Sequence, residues 1–228
     1  MSAIVQVRNL HFTYEDGTRA LNGIDFELGE SQAVALLGAN GSGKTTFILH
    51  LNGILRGHGS VTVAGLPVTD QNLREIRKRV GMVFQDSDNQ LFMPTVLEDV
   101  AFGPLVSGIA RREATDRARA ALDRTGMLHQ ADRAPWRLSA GEKKRAAIAG
   151  VLAGEAQLLI LDEPTSFLDP PAQRALSELL AGLPQAKILV THDTGFARSL
   201  TEDAAFFESG MIAARGRVAE IVQRFAWK

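Results

Sequence analysis

Gly38-Ala39-Asn40-Gly41-Ser42-Gly43-Lys44-Thr45-Thr46 has the residue types and spacing of a polyphosphate cradle. Glycines let successive backbone N–H groups turn toward one anion at the mouth of a helix, Lys44 supplies a cation for the β and γ phosphates, and the Thr45 hydroxyl can ligate Mg2+. Farther along, the apolar run Leu158-Leu159-Ile160-Leu161 emerges into Asp162-Glu163. Adjacent carboxylates at the end of a buried strand are costly without a cation. Asp162 therefore suits Mg2+, directly or through water, and Glu163 suits a water attacking a γ phosphate. An apolar run ending in Asp-Glu is a weak signal alone; paired with the phosphate loop it points to hydrolysis of a nucleoside triphosphate.

Leu138-Ser139-Ala140-Gly141-Glu142 opens a helix whose first turn exposes a hydroxyl and backbone N–H groups, a second phosphate-binding terminus. One nucleotide has one γ phosphate, yet the chain carries two such termini. Head-to-tail pairing of two chains resolves the excess: Ser139, Ala140, Gly141 and Glu142 of one chain face the nucleotide held by the loop of the other. Three single residues extend the set. His192, after an apolar strand, can donate to the γ phosphate or help position water, and Gln85, also at a strand end, can reach Mg2+ or water with its amide oxygen. Tyr14, the only tyrosine, can stack on adenine or pack within a β layer.

Strands must launch these motifs and helices must close them. Ile4–Leu10 and Leu21–Leu28 alternate apolar and polar residues about a turn at Glu15-Asp16-Gly17, the pattern of an antiparallel layer. Gln32–Leu37, Leu158–Leu161 and Lys187–Val190 read as central parallel strands, with helices expected at Lys44–Leu51 and Pro170–Leu180. Further strands are expected at Gly59–Val63 and Arg79–Gln85, and a hairpin turning at Ser209-Gly210. Pro94 to about Gly154 is helical in pattern, within a subdomain inserted at about 86–154. The expected fold is α/β: a phosphate-loop core, an amino-terminal antiparallel layer and a helical insertion, all in one domain spanning 1–228.

With 228 residues, 45% hydrophobic and 22% charged, the chain has material for one core with an insertion, and its formal net charge of -1 offers no field to attract nucleic acid. It has no cysteine, which removes disulfides and thiolate metal sites. Its longest apolar runs fall far short of the roughly 20 residues that span a bilayer, and the amino terminus lacks the apolar block of a signal peptide. Cytoplasm is the expected compartment, and any membrane role needs a companion.

In order and spacing these motifs resemble the ATP-binding subunits of ABC transporters over nearly the whole chain. By that resemblance Gly38–Thr46 is the Walker A loop, Leu158–Glu163 Walker B, Leu138–Glu142 the signature, Gln85 the Q-loop, Ser166-Phe167-Leu168-Asp169 the D-loop and His192 the switch histidine; the core is a RecA-like P-loop NTPase. The family's usual Leu-Ser-Gly-Gly-Gln is departed from at Ala140, which adds a methyl, and at Glu142, which adds a charge. Those changes are expected to leave ATP binding intact and to weaken the dimer's grip.

Val80-Gly81-Met82-Val83-Phe84-Gln85, Asp88-Asn89-Gln90-Leu91-Phe92, Glu98–Pro104 and Lys143–Gly150 resemble the ATPases of energy-coupling factor importers. The resemblance implies Mg2+ with ATP, a second ATPase subunit with a homodimer expected, a transmembrane coupling subunit, a substrate-binding membrane subunit, and a peripheral place on the cytoplasmic face of the membrane. Gln85–Pro104 would be the transmission surface, and the cargo a cobalt or nickel ion, biotin or another vitamin. The short carboxyl end fits compact biotin-type members. Rival readings are the ATPase of another ABC transporter class and a soluble non-transport ABC ATPase, for which no tandem half, coiled coil or basic face is visible.

Overall fold

The computed structural model describes residues 3–86 and 90–227, so Asp88 and Asn89 of the importer-like run lie outside the described residues. Chain order begins with β1 (Ala3–Thr13), β2 (Arg19–Gly29), β3 (Ala33–Leu37), α1 (Lys44–Leu51), β4 (His58–Val63) and β5 (Leu66–Pro67). It continues with α2 (Leu73–Arg79), β6 (Val80–Val83), α3 (Val96–Val106), α4 (Arg111–Arg124), α5 (Ala140–Ala153) and β7 (Leu158–Asp162). The last elements are α6 (Pro170–Ala181), β8 (Ala186–Val190), α7 (Thr194–Leu200), β9 (Asp203–Glu208), β10 (Met211–Arg217) and α8 (Val218–Arg224). They build a 4-stranded sheet of order β2-β1-β4-β5 and a 6-stranded sheet of order β10-β9-β3-β8-β7-β6. All paired neighbours in the first are antiparallel; in the second, only the β9–β10 hairpin is.

Strand periodicity sends alternate side chains of the parallel strands to two apolar clusters. Val34 and Leu36, Leu158 and Ile160, and Ile188 and Val190 join Phe26 of β2 and Phe47 of α1. Their neighbours Ala35 and Leu37, Leu159 and Leu161, and Leu189 join residues of α3 to α8. Both faces are covered, which is why these strands read as unbroken apolar runs. Phe47 is fully buried, with its ring 5.1 Å from Phe26 and 5.5 Å from Phe207. Replacing it by Ala would cost about 3–5 kcal/mol and unseat α1, the helix that carries Lys44.

The expected strand Arg79–Gln85 is corrected: it is β6 alone, Arg79 ends α2, and Gln85 lies beyond the strand. Glu75 in the first turn of α2 and Arg77, Lys78 and Arg79 in its last suit the helix dipole, and Arg79 reaches Glu75 at 3.0 Å one turn back. Four consecutive buried residues then give β6. The helix α7 likewise has a local cause, because Asp193 caps it by accepting from the Phe196 N–H at 2.9 Å.

Candidate active site

β3 runs out of its sheet at Leu37, and the chain wraps back through Gly38 to enter α1. Gly38 has φ 136 and a Cβ there would collide with the Phe207 carbonyl oxygen, so only glycine fits. The loop is braced from the β9–β10 turn, where the Gly210 N–H donates to the Ser42 carbonyl at 3.1 Å. No side chain caps α1 and no acidic residue occupies its first turn, so the N–H groups at its mouth keep their capacity for an anion.

Lys44 is buried, and its ammonium donates to the carbonyls of Gly38 at 2.7 Å and Ala39 at 2.9 Å. Burial lowers its pKa, against the opposing charges of Glu163 and Asp162. The loop itself satisfies the cation, which must exchange these carbonyls for phosphate oxygens when a nucleotide enters. Thr45 Oγ1 donates to Asp162 Oδ2 at 3.4 Å, and the Tyr14 hydroxyl pairs with Thr46 Oγ1 at 2.9 Å.

Asp162 closes β7, is 8% exposed, and has its pKa raised by burial first and by the charge of Glu163 second. Glu163 sits at φ 44, a left-handed conformation costing about 1–3 kcal/mol for a non-glycine residue, and its N–H donates to the Val190 carbonyl of β8 at 2.8 Å. That turn faces its carboxylate toward His192, whose Nδ1 lies 2.9 Å from Glu163 Oε2. The approach is at ion-pair distance without hydrogen-bond alignment, and the buried oxygen finds no hydrogen-bond donor among the described residues.

These groups meet in one cleft of about 490 Å³, lined by Tyr14, Asn40, Gly41, Gly43, Lys44, Thr45, Thr46, Gln85, Asp162, Glu163 and His192. The donor chemistry fits Mg2+: a hydroxyl, one carboxylate and an amide are hard oxygen ligands, few in number, as expected where phosphate oxygens complete the shell. Among the described residues no three His, Cys, Asp or Glu gather to hold a metal by themselves.

The signature turn stands apart. Ser139, Ala140, Gly141, Glu142 and Asp169 line a different cleft of about 330 Å³. Ser139 is the N-cap of α5: its Oγ accepts from the Glu142 N–H at 3.3 Å, while the Glu142 carboxylate accepts from the Ser139 N–H at 2.8 Å and from Gln130 Nε2 at 3.0 Å. The Ser139 N–H bond is the first cause holding the Glu142 carboxyl below its ordinary pKa. Asp169 caps α6 in the same manner, accepting from the Ala172 N–H at 2.8 Å. Phe167 also lines this cleft and is 82% exposed, while Ser166 Oγ accepts from Gln85 Nε2 at 3.5 Å.

A family model described as ABC transporter matches residues 21–166. The chain belongs to the ABC transporter family. It is 49% identical over 96% of its length to a putative ABC transporter ATP-binding protein of Streptomyces avermitilis, covering 84% of that protein. It is 43% identical to an energy-coupling factor transporter ATP-binding protein of Methanosphaera stadtmanae, over 97% of this chain and 82% of the relative. Among solved structures it is similar to CbiO1 of Clostridium perfringens, described as part of the ABC transporter complex CbiONQ, with TM-score 0.88 and 36% identity over 99% of this chain and 92% of the other. The cassette MJ0796, solved as a dimer in a post-hydrolysis state with ADP and Pi, matches with TM-score 0.84 and 26% identity over 94% of this chain and 98% of that one. The fold is that of an ABC ATPase, and the protein is an ATPase.

Three features of this ABC ATPase escaped the sequence reading. Thr18, Arg19 and Ala20 line the same cleft as Lys44 and Glu163, with Arg19 adding a cation to its wall; its place soon after Tyr14 was the available signal. The brace from Gly210 joins residues 168 positions apart (210 − 42) and leaves no local pattern. Lys144 enters the sequence reading only as part of the importer-like segment Lys143–Gly150, yet it is 2% exposed and held inside the structure.

Proposed function

We propose that this chain is the ATPase of an energy-coupling factor importer. Two such subunits close around two Mg-ATP, and hydrolysis resets them to drive membrane subunits that take up a cobalt or nickel ion, biotin or another vitamin. The observation that carries the reading is the division of the site. Lys44, Thr45, Asp162, Glu163 and His192 share one cleft, whereas Ser139–Glu142 line another, so full phosphate coordination takes two chains in head-to-tail pairing.

In the proposed cycle Tyr14 stacks on adenine, and Gly38–Thr46 wrap the phosphates through backbone N–H groups while Lys44 reaches the β and γ oxygens. Thr45, Asp162 and Gln85 would hold Mg2+, which when bound would supply neutralisation of the phosphate charge. Glu163 accepts the proton of the water that attacks the γ phosphorus; the bond from phosphorus to the bridging oxygen breaks, and its electron pair leaves with ADP. His192, with Nδ1 2.9 Å from Glu163 Oε2, stands beside the attacking water and donates to the γ phosphate. From the partner chain come the Ser139 hydroxyl and the N–H groups of Ala140 and Gly141; Glu142, committed to its cap, keeps its charge turned back into the helix start. Asp169 of the D-loop, beside the signature turn, stiffens that edge.

Among the described residues no helix is long and apolar enough to cross a membrane, so attachment to the cytoplasmic face falls to partners. A groove of about 250 Å³ containing Met82, Leu91, Phe92 and Phe102 suits a helix of the transmembrane subunit, and the chain's charge gives no reason to invoke nucleic acid. The test is purification of the tagged chain from membranes, with its companions identified by mass spectrometry. Two integral membrane subunits are expected; recovery of the chain alone or with soluble partners would defeat the importer reading.

A further inference from the structure

The buried cation Lys144 has no part in the chemistry proposed above. It projects from the second turn of α5, is 2% exposed, and donates to the carbonyls of Phe84 at 2.8 Å and Gln85 at 2.6 Å. These contacts join residues 60 and 59 positions apart, linking the helix that begins with the signature to the loop that carries Gln85. A buried ammonium is costly to desolvate, and two short charge-assisted bonds to backbone oxygens are what offset that cost. Its hydrogen-bond acceptors are main-chain carbonyls, which fixes the path of the loop, and the charges of Asp162 and Asp86 also act on it.

A second contact fastens the same two elements farther along. Gly81 of β6 lies so close to α5 that a Cβ there would collide with Val151. The helix is therefore held to β6 and the loop following it at two points, Val151 on Gly81 and Lys144 on Phe84 and Gln85. Gln85 in turn lies 3.5 Å from Ser166 Oγ, on the chain just after Glu163.

We propose that Lys144 is a positioning residue that ties the Gln85 loop to α5, so that Gln85 and the signature turn move as one body. A push on the Gln85 loop then displaces the phosphate-binding turn offered to the other chain, and closure there moves Gln85. The turnover arm of the test rests on the ATPase reading above; the mobility arm needs no nucleotide.

The chain has no native cysteine, so a nitroxide attached through Asp86→Cys is the single label on the loop; because the Asp86 charge also acts on Lys144, all variants are compared within the Asp86→Cys background and the loop is read again, without the label, by hydrogen exchange at the Phe84 to Asp86 amides. With Lys144→Met, which keeps an unbranched stem and no donor, the nucleotide-free label becomes more mobile. In the unlabelled variant kcat falls about 10- to 100-fold, the cost typical of a displaced active-site group, with KM for ATP little changed. Lys144→Gln, which keeps a donor, falls between wild type and Lys144→Met in both readings. An unchanged spectrum and unchanged kcat in Lys144→Met overturn the tether. So does a Lys144→Gln variant that matches Lys144→Met in both, since a role in filling space alone would produce that. If the wild type lacks turnover while Lys144→Met still frees the label, the tether stands and the ATPase reading fails.

Discussion

Ser139 and Glu142 hold each other across one helical turn, each side chain accepting the other's backbone N–H, at 3.3 Å and 2.8 Å. The acidic residue that departs from the family's glutamine is therefore a capping residue. Glu142→Ala should destabilise the protein by about 0.5–2 kcal/mol, whereas Glu142→Gln, which can complete the same box, should lose much less. Because the folded pKa of Glu142 lies below its ordinary 4.5, its charge-dependent contribution is present above that value and is lost as pH falls through the folded pKa. Urea melts should separate wild type from Glu142→Gln near neutrality and bring them together in acid.

Asp162 behaves in the opposite sense. Burial and Glu163 raise its folded pKa above 3.8, so the folded chain binds this proton more tightly than the unfolded one and stability declines as pH rises through that window. Asp162→Asn should raise the nucleotide-free Tm at neutral pH in chelator, by about 2–4 °C for each kcal/mol recovered, while abolishing turnover. The Tm gain should shrink as pH is lowered toward the ordinary aspartate range.

Tyr14 offers the cleft both a ring and a hydroxyl. If the ring stacks on adenine, Tyr14→Ala should weaken ATP binding by about 1–3 kcal/mol. Tyr14→Phe, which loses only the 2.9 Å bond to Thr46, should bind ATP nearly as well. Calorimetric titration of both variants measures the difference.

Phe92 is 64% exposed, with its ring 5.1 Å from that of Phe102. Phe92→Asp should leave the fold and the isolated chain's ATP binding unchanged and reduce recovery of membrane subunits in co-purification. Equal recovery with wild type would move the docking surface elsewhere.

The phosphate loop, the acidic strand end and the start of α5 were legible because each is local: glycine spacing, an apolar run meeting carboxylates, a Ser-x-Gly turn opening a helix; that Glu142 caps this helix instead of facing outward came from the structure. The parallel strands were legible because burial on both faces makes them uniformly apolar. The α2 helix was missed because its seven residues, LREIRKR, bury only Ile76 and so show little periodicity. Lys144 was missed for a different reason. A buried lysine and an exposed one look alike in sequence, and the two carbonyls that hold Lys144 lie about sixty residues away. The brace from Gly210 to Ser42 is equally nonlocal and uses backbone atoms that no residue type announces.

In the proposed cycle hydrolysis and release both depend on Glu163, which has one oxygen buried and free of hydrogen-bond donors among the described residues. Glu163→Gln keeps the shape of the side chain and removes the base. Sedimentation of this variant with and without Mg-ATP, alongside an ATPase assay, should show a nucleotide-dependent dimer, turnover reduced about 100-fold or more as for loss of a general base, and little change in ATP affinity. A Glu163→Gln chain that stays monomeric with Mg-ATP at high concentration and still hydrolyses ATP at the wild-type rate would contradict the composite site.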